Sequence, residues 1–266
     1  LMKRNISGNI KKKIAFAAIL IGIVLVSLTL LFIRGVQNQL WEESITAIME
    51  NTQQGCNTLR IQLKNDYESM SVLSKDIKKY SLSQTNEIET IINNYSHVEE
   101  NISMYTEDGS YFPKGNQIDK TVQETVLNSD ITNGIIDPHI SSITGVNVFN
   151  IFIRTTMNDG TKAYLVKEYE IENIVESFSL SFYNDAGFSY VINTKGDVLI
   201  RPPHPNSNKT VKNLFDMLPT GKNDANNIKQ FAQSLENNDT GWAIFTYQNE
   251  KTVFCFTPLR LESDWF

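Results

Sequence analysis

The sequence predicts an α+β protein in which a long N-terminal helix precedes two modules built on antiparallel sheets. Three observations carry this. Residues 14–33, IAFAAILIGIVLVSLTLLFI, run without a single charge. Residues 37–80 then repeat apolar or small side chains at helical steps of three and four, from Trp41, Ile45 and Ile48 through Leu59, Leu63, Met70, Leu73 and Ile77. Beyond residue 100, strand-length apolar runs pair around short polar turns in both halves of the chain, with helical segments between them.

The apolar run predicts a transmembrane helix. A helix rises about 1.5 Å per residue, so residues 14–33 match a hydrocarbon core of roughly 30 Å. Lys3, Arg4, Lys11, Lys12 and Lys13 precede it. Flanking basic residues stay in the cytoplasm, so residues 1–13 are expected inside and residues from about 38 outside. A cleaved signal peptide would have a shorter apolar core and a small-residue cleavage site. The run here continues into FIRGVQNQLW without one, which favours an uncleaved anchor whose partner is the lipid bilayer.

The stalk helix predicted over 37–80 contains no proline. It is too long for one compact module to cover, so stacked modules or a partner helix must bury its apolar stripe. SLSQTNE breaks the pattern, and Glu87–Tyr95 reads as a short helix. NISMYTEDGSYFP, 101–113, reads as a hairpin turning at Glu107-Asp108-Gly109. Residues 119–129 read as a helix. The clearest hairpin is 146–166, through Asn158-Asp159-Gly160. Residues 168–180 read as helical and lead into the second half.

There, FSYVINTKGDVLIR, 188–201, predicts two strands turning at Thr194-Lys195-Gly196. Arg201-Pro202-Pro203-His204-Pro205 reads as a rigid connector. Thr210–Leu218 reads as a short helix capped by Thr210, and 227–236 as another. GWAIFTYQNEKTVFCFTP, 241–258, is a hairpin through Gln248-Asn249-Glu250, and Trp265-Phe266 reads as a last strand. Each half thus offers hairpin, helical segment, hairpin, with no sequence identity between the halves.

The first 33 residues hold five Lys/Arg and no acid, which leaves 19 of the 24 basic and all 30 acidic residues beyond them. An acidic region of this kind argues against nucleic acid as a partner. Two cysteines, Cys56 and Cys255, do not make a disulfide scaffold. They read as small buried apolar residues. His97, His139 and His204 lie far apart, with no partner at metal-ligand spacing. Nucleophile-elbow, zincin, P-loop and dinucleotide-binding motifs are absent, so neither catalytic residues nor a metal or other cofactor is expected.

The membrane span running into the long helix, GFSYVINTKGDVLIRPPHP and TGWAIFTYQNEKTVFCFTPLRLESDW together resemble the double Cache family over residues 38–266. These are extracytoplasmic sensor domains of bacterial membrane receptors. The resemblance implies two PAS-like (Cache) modules, a membrane-distal one over 82–167 and a membrane-proximal one over 168–266. It also implies small-molecule binding, mostly in the distal module, a homodimer, and a second span beyond residue 266. The output of such receptors is a diguanylate cyclase, a histidine kinase or a chemotaxis signalling rod. NTQQG, 51–55, and the short distal module lean toward the cyclase. Many amino-acid-binding members carry an arginine followed two residues later by Trp-Tyr. None of Arg34, Arg60, Arg154, Arg201 and Arg260 is, which argues against amino-acid sensing. A membrane-anchored extracellular enzyme and an adhesion or interaction module are the alternatives. An enzyme on a stalk would more naturally have a Pro/Gly/Ser linker, which residues 34–45 lack.

Alternation along 147–155 places Phe149, Ile151 and Ile153 on one sheet face and Val148, Asn150, Phe152 and Arg154 on the other. With the first face against the long helix, Asn150, Phe152 and Arg154 turn toward a ligand cavity. Tyr105, Tyr111 and Tyr164 are candidate walls. An arginine, an amide and an aromatic suit a small carboxylate or another polar metabolite. The competing reading leaves Arg154 in solvent and the aromatics in the core.

Overall fold

The computed structural model describes residues 8–98, 101–114, 117–128, 131–177, 187–219, 221–261 and 263–266. Contacts divide the chain into two units, Leu1–Ile48 and Met49–Phe266. In the first unit every apolar side chain from Ile14 to Ile33 that is large is exposed. This stretch belongs to a helix long and apolar enough to cross a membrane. The span and the stalk lie on one continuous helix, as expected from the sequence: α1 runs Gly8–Ile77. It stops three residues short of the predicted Tyr80, where Lys79 and Tyr80 close tighter i→i+3 bonds at the helix end.

In the second unit a five-stranded antiparallel sheet is laid down in the order β2-β1-β5-β4-β3. Its strands are β1 (Ile102–Thr106), β2 (Tyr111–Phe112), β3 (Asn133–Ile140), β4 (Asn147–Thr156) and β5 (Lys162–Glu170). Two helices accompany it, α2 (Thr85–Val98) and α3 (Lys120–Asn128). Strand β3 was not anticipated. Its sequence NGIIDPHI carries a proline and a register shift between Ile136 and His139, which blurs the alternation. Edge position makes both tolerable, since a proline there removes no ladder bond.

The β4 alternation holds. Phe149 and Ile151 are fully buried with Leu63, Met70, Leu73 and Ile77 of α1, and Ile153 packs against the same cluster. The predicted helix 168–180 is corrected at its start: Lys167–Glu170 pair with β4, Lys167 also with β1, and α4 occupies only Ile171–Ser177. Residues 178–180 lie outside the described residues.

The second half holds two two-stranded sheets. One is β6 (Val191–Ile192) with β7 (Val198–Ile200), and the other is β8 (Gly241–Tyr247) with β9 (Glu250–Phe256). The expected helix over Thr210–Leu218 is instead a 3₁₀ turn, Leu214–Met217, capped by Asn213, whose side chain accepts from Phe215 N–H. Thr210 does not cap it. Its N–H and hydroxyl both serve the Asn208 side chain. Helix α5 (Ala225–Glu236) is capped by Asp224, and its Phe231 and Leu235 pack under β8 and β9 with Phe245 and Phe256. Trp265 forms one bridge, to Asn193, rather than a full strand. Cys56 and Cys255 are both free thiols.

Candidate functional site

The second face of the five-stranded sheet gathers every residue the alternation nominated. Register places Arg154, Tyr164, Tyr105 and Tyr111 in one cross-strand row over β4, β5, β1 and β2. The next row on this face is Gly134, Phe152, Val166 and Ser103, and the one after it is Ile136, Asn150 and Glu168. A Cβ at Gly134 would come to 3.1 Å from the Phe152 ring, so a larger residue there would need that ring to shift.

Helix α3 lies over this face. Its Val122 and Val126 join Tyr105, Ile136, Phe152, Tyr164 and Val166 in one buried cluster, with Tyr111 at its margin. Tyr105 and Tyr111 rings tilt together at 4.8 Å. Burial, followed by the neighbouring Tyr111, pushes the Tyr105 phenol well above its ordinary value, so it stays a neutral donor and acceptor. The aromatics nominated as cavity walls therefore also form module core. Arg154 is half-buried and makes no ion pair among the described residues.

The polar end of the face lies at Asn150. This side chain is 2% exposed, and its Oδ1 has no hydrogen-bond partner among the described residues. Glu168, directly opposite, was not nominated. Burial raises its carboxyl above the ordinary value, a hydrogen bond from the Asn150 amide draws it down, and nearby Asp119 raises it again. Its identity as a site residue was invisible in sequence, because EYE at the strand's end also fits the start of a helix.

Asp119 holds this end together. Its carboxylate accepts from Thr121 N–H at 2.9 Å and Val122 N–H at 3.1 Å at the start of α3. It also accepts from Ser142 N–H at 2.6 Å and the Ser142 hydroxyl at 2.9 Å, and His139 Nε2 lies 3.1 Å away. The face thus presents acceptors, Asn150 Oδ1 and the Glu168 carboxylate, at one end. It presents the Arg154 donor at the other, roughly 13 Å along the strand at about 3.3 Å per residue. Such a surface suits a small polar solute whose cationic and anionic groups are separated.

An apolar N-terminal helix followed by an antiparallel-sheet region of this topology is the fold of Cache-type ligand-binding domains. Among solved structures it matches the ligand-binding domain of the Pseudomonas fluorescens chemoreceptor CtaA in complex with L-isoleucine. The TM-score is 0.63 at 11% identity, over 86% of this chain and 92% of that one. It also matches the amino-acid chemoreceptor PctC of Pseudomonas aeruginosa in complex with GABA, with a TM-score of 0.61 at 13% identity over 84% and 96% of the two chains. The Campylobacter jejuni chemoreceptor Tlp3 in complex with L-norvaline gives 0.59 at 10% identity over 84% and 89%. By sequence, no protein-family model and no curated protein matches the chain.

Proposed function

We propose that this chain is the extracytoplasmic sensing region of a bacterial membrane receptor and that it binds a small polar metabolite. The modules divide after β5, which ends at Glu170, rather than at residue 167, and the site is the α3-covered face of the five-stranded sheet. Asn150, Phe152, Arg154, Tyr105, Tyr111 and Tyr164 contribute to it, with Glu168 added. The observation that carries this is the buried, unpartnered Asn150 Oδ1 beside the half-buried Glu168 carboxylate. A buried acceptor without a donor costs about 1–3 kcal/mol, which a ligand N–H recovers. Arg154 suits a carboxylate on the same ligand. Amino acids are the ligands in the three solved domains named above: L-isoleucine and L-norvaline carry amino and carboxyl groups on one carbon, whereas GABA separates them by three methylenes. The separation of Asn150 and Arg154 favours a longer molecule.

Helix α1 carries both the apolar stretch and core residues of the sheet, so binding that shifts it would reach the membrane and a cytoplasmic output. Among outputs, a chemotaxis signalling rod gains support from the chemoreceptor fold, alongside the cyclase and the kinase.

The test is a thermal-shift screen of the full chain in nanodiscs against diamines, amino carboxylates, organic acids and nucleobases. Each hit is repeated on Asn150→Ala and Arg154→Ala. We expect an amine-bearing hit that both changes weaken, and whose affinity falls as pH drops through the raised Glu168 value and the carboxylate protonates. A hit indifferent to both changes would remove the site.

A further inference from the structure

The second half of the chain carries a groove that the sensing face does not use. Its volume is about 490 Å³, within the roughly 300–1,000 Å³ of small-molecule sites. Its walls are the loop from Asn208 to Lys212, the 3₁₀ turn with Asp216 and Met217, and the β8–β9 tip with Tyr247 and Gln248.

Asn208 shapes the loop. Its Oδ1 accepts from Thr210 N–H at 3.0 Å, the Thr210 hydroxyl at 3.0 Å and Val211 N–H at 3.2 Å. Its N–H donates to the Tyr190 hydroxyl at 2.9 Å, and its Nδ2 donates to the Tyr247 hydroxyl at 3.5 Å. Gln248 Nε2 donates to the same Tyr247 oxygen at 3.1 Å. Tyr247 therefore accepts two bonds, and its proton meets no acceptor among the described residues. A phenol in that state has only its donor left to offer.

The charges around the groove agree with this. Behind the wall, Arg201 donates to the Val211 carbonyl, while its Nε is buried without an acceptor. Among the described residues no carboxylate pairs with Arg201, Lys209 or Lys212. Lys222 reaches the hairpin tip through Asn249. Against these cations the described lining contributes one acid, Asp216. A partly buried guanidinium without a counter-charge is costly, and an anion in front of it offsets that cost.

We propose that this groove is a second binding site, for a small oxyanion held by the Tyr247 hydroxyl and the Lys212 ammonium in the field of Arg201. The site goes beyond the sensing face and does not depend on it. A carboxylate and a phosphate share the required chemistry.

Calorimetric titration of the full chain in nanodiscs, at low ionic strength, with succinate, citrate and inorganic phosphate in separate runs tests this. At least one should bind, and the strongest identifies the source of the oxyanion. Tyr247→Phe and Lys212→Ala should each weaken that binding about tenfold, or ~1.4 kcal/mol, while Asn150→Ala leaves it unchanged. Lys212 is exposed, so its variant carries the test even if Tyr247→Phe perturbs folding. No heat with any of the three probes overturns the proposal. So does binding that survives both changes, or binding lost in Asn150→Ala.

Discussion

The Asp119 carboxylate joins the start of α3 to the loop after β3, and its protonation state decides whether that joint holds. Burial opposes its charge, but hydrogen bonds from the Ser142 and Val122 backbone and the Ser142 hydroxyl, with His139 nearby, outweigh burial and hold the carboxyl below its ordinary value. The sign follows. A depressed carboxylate contributes stability in full above its unfolded pKa of about 3.9, and that contribution is lost as pH falls through the lower folded value. Asp119→Ala should cost about 1–2 kcal/mol at pH 7, the range of a lost helix cap. Denaturant melts of both proteins at pH 7 and at successively lower pH should show the gap closing below the ordinary carboxylate range. A gap that is constant with pH would mean that the bonds to Asp119 contribute nothing through its charge.

Within the second unit, α1 works as the spine against which the sheet packs. Leu63, Met70, Leu73 and Ile77 are all fully buried. Asp66 receives the Lys167 ammonium at 2.9 Å and the Tyr169 hydroxyl, which ties β5 to the same helix. Leu63→Pro would remove a backbone donor and drive its ring into the preceding turn, at a cost of about 3 kcal/mol or more. It should lower the melting temperature by several degrees, while Leu63→Ala should cost about 2–5 kcal/mol through the cavity it leaves. Equal melting of wild type and both variants would show that this stretch is not a packed helix.

Over the whole second unit, the C-terminal segment is fastened onto elements far away in sequence. Trp265 is 1% exposed, packs edge-on against Phe149 at 5.2 Å, and donates its indole N–H to Asp137 at 2.8 Å. Arg60 on α1 donates to the carbonyls of Leu259 at 2.7 Å and Pro258 at 2.8 Å. Arg60→Ala would leave both carbonyls without these bonds and should cost about 3 kcal/mol or more, since hydrogen bonds from charged groups contribute roughly 1.5–3 each. Hydrogen exchange should report faster opening at Leu259 and Trp265, and unchanged rates there would exclude a fastening role. On the membrane reading, reporter fusions at Asn51 and Asn238 should both be extracytoplasmic. An internal reporter at either position would reverse the proposed topology.

Periodicity alone determined much of this chain. The uninterrupted apolar run, the long helix and the hairpins 101–113, 146–166, 188–201 and 241–258 all follow from local spacing and turn chemistry, which act over a few residues. The two faces of β4 follow from the pleat, so Phe149 and Ile151 against the helix, and Asn150 and Phe152 away from it, were legible. Strand order was not, because β5 lies between β1 and β4 only through pairings across long loops. Nor could spacing foresee that Glu168 would stand opposite Asn150, or that Asp119, Ser142 and His139 would meet. The same holds for Arg60 reaching Pro258 and for Tyr247 accepting from Asn208. Each of these pairs is distant or irregular in sequence, and its energy exists only once burial removes the water that would otherwise satisfy both partners.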